Sequence, residues 1–185
     1  MENNEIIQKF SKLSKMAMIA IIAIFIANII NAQTEQPVFL ENINSLEEAI
    51  KPLYGKKIYL DLWATWCSPC VDEFRHNEAL KKNLAENDIQ QLYISFDRDY
   101  EDERWKQAIK SYNLTGTHIR ANEKLTLDLF RLIYSNRGVV YEKPSDVESD
   151  LAFGIPRYVL IDEKGNIMNK SAIRPNRIVA GEKLW

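Results

Sequence analysis

The chain has 185 residues, 46% of them hydrophobic, and a formal charge of −2. That length and apolar content suit one ordinary globular core, and the absence of any basic stripe with interleaved aromatics argues against nucleic acid as a partner. Two cysteines in the whole chain exclude a disulfide-stapled scaffold.

The first segment reads as an address. Lys9, Lys12 and Lys15 precede an apolar stretch from Met16 to Ile30 that is broken only by Asn28. Ile30-Asn31-Ala32 then offers a signal-peptidase site, with cleavage expected near Ala32–Gln33. The stretch is shorter than the ~18–20 residues that cross a bilayer comfortably, and an uncleaved inner-membrane anchor is the other reading. No cysteine lies nearby to carry a lipid. In either case the lysines hold that end in the cytoplasm and the remainder emerges outside, in the periplasm or cell envelope. Residues 1–32 are therefore assigned to a signal peptide or anchor, and residues 33–185 to one domain.

Within that domain, Ser45-Leu46-Glu47-Glu48 is a capping box opening a short helix that ends near Tyr54-Gly55. A buried strand from Lys57 to Trp63 leads into Trp66-Cys67-Ser68-Pro69-Cys70, and a helix follows to about Asn83. Its apolar residues, Val71 and Phe74 early but Leu80 and Leu84 late, do not share one stripe, which predicts a bend or a change of partner midway. A second strand covers Gln91–Phe96. A helix over Asp102–Tyr112 places Trp105, Ala108, Ile109 and Tyr112 on one face, and Leu125, Leu129, Leu132 and Ile133 mark another by the same spacing. After the polar stretch Ser135–Asp150 come Gly154-Ile155-Pro156, the strand Arg157–Ile161, the turn Asp162–Gly165, and a last strand through Ile167. Alternating strands and helices with a final hairpin predict an α/β sandwich with a mixed sheet.

The cysteine pair carries the chemistry. Pro69 is tolerated in a first helical turn, where its missing N–H has no intrahelical acceptor to lose. Cys67 then lies at the positive end of a helix dipole, where the thiolate is favoured, with a second sulfur one turn away. Reversible thiol–disulfide exchange needs that arrangement. Zinc would want four ligands, and only His76 and His118 remain, far from any H-x₃₋₅-H spacing. Haem attachment would need histidine where Val71 stands. Zinc, copper and a purely structural disulfide stay as rival readings.

Asp61-Leu62-Trp63-Ala64-Thr65-Trp66-Cys67-Ser68-Pro69-Cys70 resembles the active-site block of thioredoxin-like proteins, and Gly154-Ile155-Pro156 before a strand resembles their cis-proline loop. Cys70-Val71-Asp72-Glu73, Ile94-Ser95-Phe96-Asp97 and Tyr158-Val159-Leu160-Ile161-Asp162-Glu163-Lys164-Gly165-Asn166-Ile167 resemble the exported TlpA/ResA-type thiol-disulfide oxidoreductases. The resemblance covers about Ser45 to Pro175. It implies a thioredoxin-like three-layer α/β/α sandwich with a mixed central sheet.

Carried over by position, the resemblance makes Cys67 the attacking thiol and Cys70 the resolving one, joined as the redox disulfide. Asp61 matches a buried carboxylate with raised pKa that relays a proton for Cys70; the alternative is a strand-end residue bonded to backbone. Glu73 matches an acidic residue near the site, with a solvated helix carboxylate as the alternative. Pro156 is implied to be cis, leaving the Ile155 backbone free to pair with an extended substrate. Trp63 and Trp66 are expected to form an apolar rim for partners, or else belong to the core.

Three departures stand out. Arg75 replaces a helix-bending proline of many relatives, Ser135–Asp150 is either a specificity element or a surface insertion, and the C-terminal helix is expected to be short, absent or truncated. His76 reads as solvated and His118 as a hydrogen-bonded core residue, and neither as a catalytic base.

Ser68-Pro69 between the cysteines offers no positive charge, and Ile155 resembles reducing relatives. Both favour a reductant of protein disulfides in the envelope, recharged by a membrane thiol carrier, with cytochrome c maturation as one service of this family. No bound cofactor beyond the disulfide and no metal are implied. The opposing reading is a non-enzymatic copper carrier or binding module of the same fold, for which no histidine follows His118.

Overall fold

A computed structural model describes residues 36–134 and 154–184, together with Met18, Glu142, Lys143 and Asp146. The leader or anchor expected at 1–32 and most of the stretch 135–150 lie outside the described residues. Among the described residues no helix is long and apolar enough to cross a membrane.

In chain order the elements are β1 (Val38–Leu40), α1 (Leu46–Ile50), β2 (Lys57–Trp63), α2 (Ser68–Glu73), α3 (Asn77–Glu86), β3 (Ile89–Ser95), α4 (Asp102–Ser111), β4 (Thr117–Arg120), α5 (Glu123–Leu129), β5 (Arg157–Ile161), β6 (Ile167–Asn169) and α6 (Pro175–Val179). The strands form one mixed sheet in the order β1-β4-β3-β2-β5-β6. β1, β4, β3 and β2 run parallel, whereas β5 and β6 are antiparallel to their neighbours. β2 is central, and Ile58 through Trp63 are all buried. A strand covered on both faces reads as a continuous apolar run, and this one does except for Asp61.

Pleating sends alternate side chains of β2 to opposite faces. Ile58, Leu60 and Leu62 share a buried cluster with Leu46 and Ile50 of α1 and with Leu125 and Leu129 of α5. Tyr59 packs instead with Leu80 and Leu84 of α3 and Ile178 of α6. The layers are therefore α/β/α, as the resemblance implies.

Local chemistry explains the helix boundaries. Ser45 Oγ accepts from Glu48 N at 3.2 Å, while Glu48 Oε2 accepts from Asn44 N at 2.7 Å, one residue earlier than in the usual capping box. The bend predicted after the cysteines is a 3-10 turn over Phe74–His76. It forms without proline. Phe74 wedges edge-on against Trp63 at 5.0 Å, and Asn77 Nδ2 donates to the carbonyls of Tyr112 and Asn113 at 3.3 and 3.0 Å. α3 then runs three residues past the expected end. α5 continues as a π-helical turn over Phe130–Tyr134, and the wider turn shifts the register. Phe130 and Tyr134 face inward, while Leu132, expected on the buried stripe, is exposed.

The edge strand β1 was not anticipated. It pairs with β4 beside Gly116, whose φ is +110° and whose absent Cβ would lie 2.6 Å from the Gln91 carbonyl oxygen. α6 is short, one of the three outcomes expected for the C-terminus.

Candidate active site

The end of β2 delivers the chain into a turn that places Cys67 at the N-cap of α2. Cys67 and Cys70 form a disulfide with Cα atoms 5.3 Å apart. The first turn is closed by Cys70 N and Val71 N donating to the Cys67 carbonyl at 3.0 and 3.1 Å. Cys70 N also points at Cys67 Sγ, 3.2 Å away. A backbone N–H aimed at that sulfur favours its anionic form. Cys67 is 6% exposed and Cys70 wholly buried, so the first sulfur is the one a partner can reach.

The turn before Cys67 is clamped from two sides. Asp97, buried at the end of β3, accepts from Thr65 N at 3.0 Å, from Thr65 Oγ1 at 2.5 Å, and from Ser95 Oγ. Arg104 Nη2 of α4 donates to the Thr65 carbonyl at 3.2 Å. Sequence reasoning placed Ser95 and Asp97 in a family motif but gave neither a role. The signal was there: a Ser-x-Asp pair closing an apolar strand is a local hydrogen-bonding unit in need of a partner.

Asp61 lies two residues before the end of β2. Its cross-strand neighbours are Tyr93 on β3 and Tyr158 on β5, and His118 on β4 stands next to Tyr93. One buried row thus reads His118, Tyr93, Asp61, Tyr158. Asp61 is 1% exposed and its Oδ1 has no hydrogen-bond partner. Burial pushes its carboxyl well above the ordinary range, and the nearby Glu73 carboxylate pushes it further. Glu73 is buried, not the solvated helix residue of the alternative reading. Its Oε2 accepts from Asn176 N at 3.0 Å, and Arg174 Nη1 stands 4.0 Å from Oε1. Cys70 and Glu73, three apart, share a helix face, so the helix that carries the buried sulfur also presents a carboxylate toward Asp61.

The surrounding tyrosines extend this polar patch. Tyr59 OH donates to the Ile173 carbonyl at 2.6 Å, and Tyr93 OH to Asn77 Oδ1 at 3.2 Å, whereas Tyr158 OH is buried without a partner. Burial first, and then Asp61, raises the pKa of all three hydroxyls.

The Ile155–Pro156 bond is cis. Gly154, Ile155 and Pro156 are buried and form one wall of a 320 Å³ groove, with Ser171, Ala172 and Arg174 opposite. Tyr134 OH donates to the Gly154 carbonyl at 2.6 Å and holds the loop from behind. Of the two tryptophans expected at the rim, Trp66 is 39% exposed. Trp63 is not: it is wholly buried against Phe74, because its place on the last residue of β2 turns it under the helix.

His118 is a core residue, as expected. It stacks on Tyr93 with ring centroids 4.6 Å apart, and its Nε2 lies 3.1 Å from the Leu114 carbonyl. Burial lowers its pKa to about 4, which keeps the imidazole neutral. His76 is partly exposed at the N-cap of α3.

A mixed sheet between helical layers, a cysteine pair at a helix start and a cis-proline loop before the antiparallel strands together define a thioredoxin-like protein. The family model for redoxins matches residues 45–177, and the chain belongs to that family. It is similar to the thioredoxin-like protein YneN of Bacillus subtilis, 26% identical over 105 residues that cover 56% of this chain and 61% of that protein. It is also similar to the thiol-disulfide oxidoreductase ResA of Bacillus cereus, 32% identical over 65 residues, 35% of this chain and 36% of that protein. The chain thus spans less than two thirds of the length of either. A solution structure of a Bacteroides vulgatus protein assigned as a thiol-disulfide oxidoreductase aligns with a TM-score of 0.50 and 27% identity, covering 73% of this chain and 75% of that one.

Proposed function

We propose that this protein is a thiol-disulfide oxidoreductase that reduces protein disulfides outside the cytoplasmic membrane. The observation that carries the reading is the asymmetry of the pair. Cys67 keeps 6% exposure at a helix N-cap, and Cys70 is wholly buried on the helix face whose Glu73 raises the proton affinity of Asp61. The name of ResA supports the activity.

In the reduced protein the Cys67 thiolate attacks one sulfur of a partner disulfide. The partner S–S bond breaks, one partner thiolate leaves, and a mixed disulfide forms. Asp61 accepts the proton of Cys70, whose thiolate then attacks Cys67 Sγ and breaks the mixed bond. The second partner thiolate leaves and is protonated. Two electrons have passed to the partner, and the Cys67–Cys70 disulfide remains. A membrane thiol carrier supplies the two electrons and two protons that restore the dithiol. Ile155, Pro156 and Trp66 line the path of the partner segment. Cytochrome c maturation is one service such a reductant performs.

Direction follows from Ser68 and Pro69, which place no cation against the Cys67 thiolate. A reduced form without that stabilisation leaves the disulfide comparatively stable, and the couple donates electrons. Equilibration of the full chain with glutathione buffers, read through Trp66 fluorescence, tests this. A potential near that of thioredoxin, about −270 mV, is expected, and one near that of periplasmic oxidants, about −120 mV, would reverse the assignment.

A further inference from the structure

Two arginines line the groove beside the cis-proline loop, Arg157 and Arg174, and among the described residues no carboxylate joins them in its walls. Neither is committed to an acid at close range. Arg174 is half exposed, and Glu73 Oε1 lies 4.0 Å from its Nη1, at the limit of an ion pair. Glu73 already receives a shorter bond from Asn176 N at 3.0 Å. Arg157 sets its guanidinium over the Tyr134 ring, 5.1 Å from the centroid, and its buried Nε has no hydrogen-bond partner. Arg120 and Arg177 differ. Arg120 Nη1 is bonded to Asp102 at 2.8 Å and Arg177 Nε to Glu182 at 2.6 Å.

A guanidinium offers a planar fork of donors suited to a carboxylate, and one held at the rim of a groove with its fork unused is a recognition element. The groove runs along Gly154, Ile155 and Pro156, the backbone that a substrate segment would follow if the exchange reading above holds. We propose that the groove selects partner proteins whose disulfide is flanked by an acidic residue, with Arg174 receiving that carboxylate and Arg157 adding positive potential behind it. Arg174 is then a specificity-determining residue, and the occupant is an extended acidic segment of a disulfide-bearing protein. Complementarity of this kind chiefly changes the rate of productive encounter.

The test uses the reduced full chain in stopped flow, followed by Trp66 fluorescence. It compares two disulfide-linked peptides identical except for Glu or Lys two positions from the cysteine, with neutral 2-hydroxyethyl disulfide as a third substrate. The Glu peptide should react about fivefold faster than the Lys peptide at low salt, the upper range for a half-exposed ion pair. The ratio should approach one at 1 M salt, where the screening length is about 3 Å. Arg174→Glu should invert the ratio, and Arg174→Lys should reduce it without inverting it. Equal rates for the two peptides, with 2-hydroxyethyl disulfide reacting normally, overturn the groove assignment alone. A preference for Glu that survives Arg174→Glu overturns the role of Arg174. Failure of all three substrates to react overturns the exchange reading itself.

Discussion

Replacing Asp61 by asparagine removes a charge but scarcely any volume, and its effect on stability should depend on pH in a defined direction. The carboxyl is 1% exposed, its Oδ1 is unpartnered, and burial followed by Glu73 raises its pKa well above 3.8. Below that pH, Asp61 is protonated in folded and unfolded chains alike, and the amide gains little. As the pH rises past 3.8, the unfolded chain releases the proton first, and wild-type stability falls by ~1.4 kcal/mol per unit until the folded carboxyl ionises as well. The amide variant escapes that loss. The amide cannot ionise, so Asp61→Asn should stabilise the oxidised protein at pH 8 and scarcely at pH 4, by ~1.4 kcal/mol for each pH unit over which only the unfolded wild-type chain is charged. The same substitution removes the acceptor proposed for the Cys70 proton, and resolution of the mixed disulfide should slow by ~10²-fold or more near neutral pH. Urea unfolding at pH 4 and pH 8 gives the first effect, and stopped-flow exchange across pH gives the second. A variant destabilised at pH 8, or stabilised equally at both pH values, would refute the assignment of an uncompensated buried carboxylate. An unchanged rate profile would leave Asp61 a structural residue only.

Cys67→Ala should abolish exchange, whereas Cys70→Ala should accumulate mixed disulfides visible on non-reducing gels; alkylation of the reduced protein should label Cys67 first, and preferential labelling of Cys70 would reverse the roles. The imidazole of His118 should titrate near pH 4 by NMR. Because that lies below the unfolded value of 6.5, its contribution to stability should fall by ~3 kcal/mol as the pH drops through this window; a midpoint above 6 would contradict its burial. Protein recovered from the envelope should begin near Gln33, and a chain beginning at Met1 in membranes would favour the anchor instead.

Central elements were legible because their signals are local and redundant. β2 is an apolar run interrupted by Asp61 and leading to a cysteine pair, β5 follows a proline, and the bend after Cys70 shows in the misaligned stripe of Val71, Phe74, Leu80 and Leu84. β1 was not legible, since three residues carry no period and its pairing with β4 is a long-range fact. Leu132 misled because helical spacing assumes 3.6 residues per turn, and the π turn at Phe130–Tyr134 breaks that assumption. At the site, the cysteines stand out as the chain's only thiols, and Asp61 was legible through the resemblance of its motif. The contacts of Asp97 with Thr65, Arg104 with Thr65, and Glu73 with Asn176 join residues 32, 39 and 103 positions apart. Tertiary folding alone brings such pairs together, so they could not be read from neighbouring residues.

Under the proposed exchange, the clamp on Thr65 bears on what each encounter with a partner costs. A loop that had to find its shape at each encounter would lose ~1–2 kcal/mol of backbone entropy per residue ordered, every time a partner arrived. Here the Asp97 carboxylate fixes the N–H and hydroxyl of Thr65 and Arg104 fixes its carbonyl. The turn that aims Cys67 is therefore ordered once, when the chain folds. What remains for an incoming disulfide is alignment of three sulfurs, and the barrier to exchange is left to the chemistry of the thiolate and not to rearrangement of the loop that holds it.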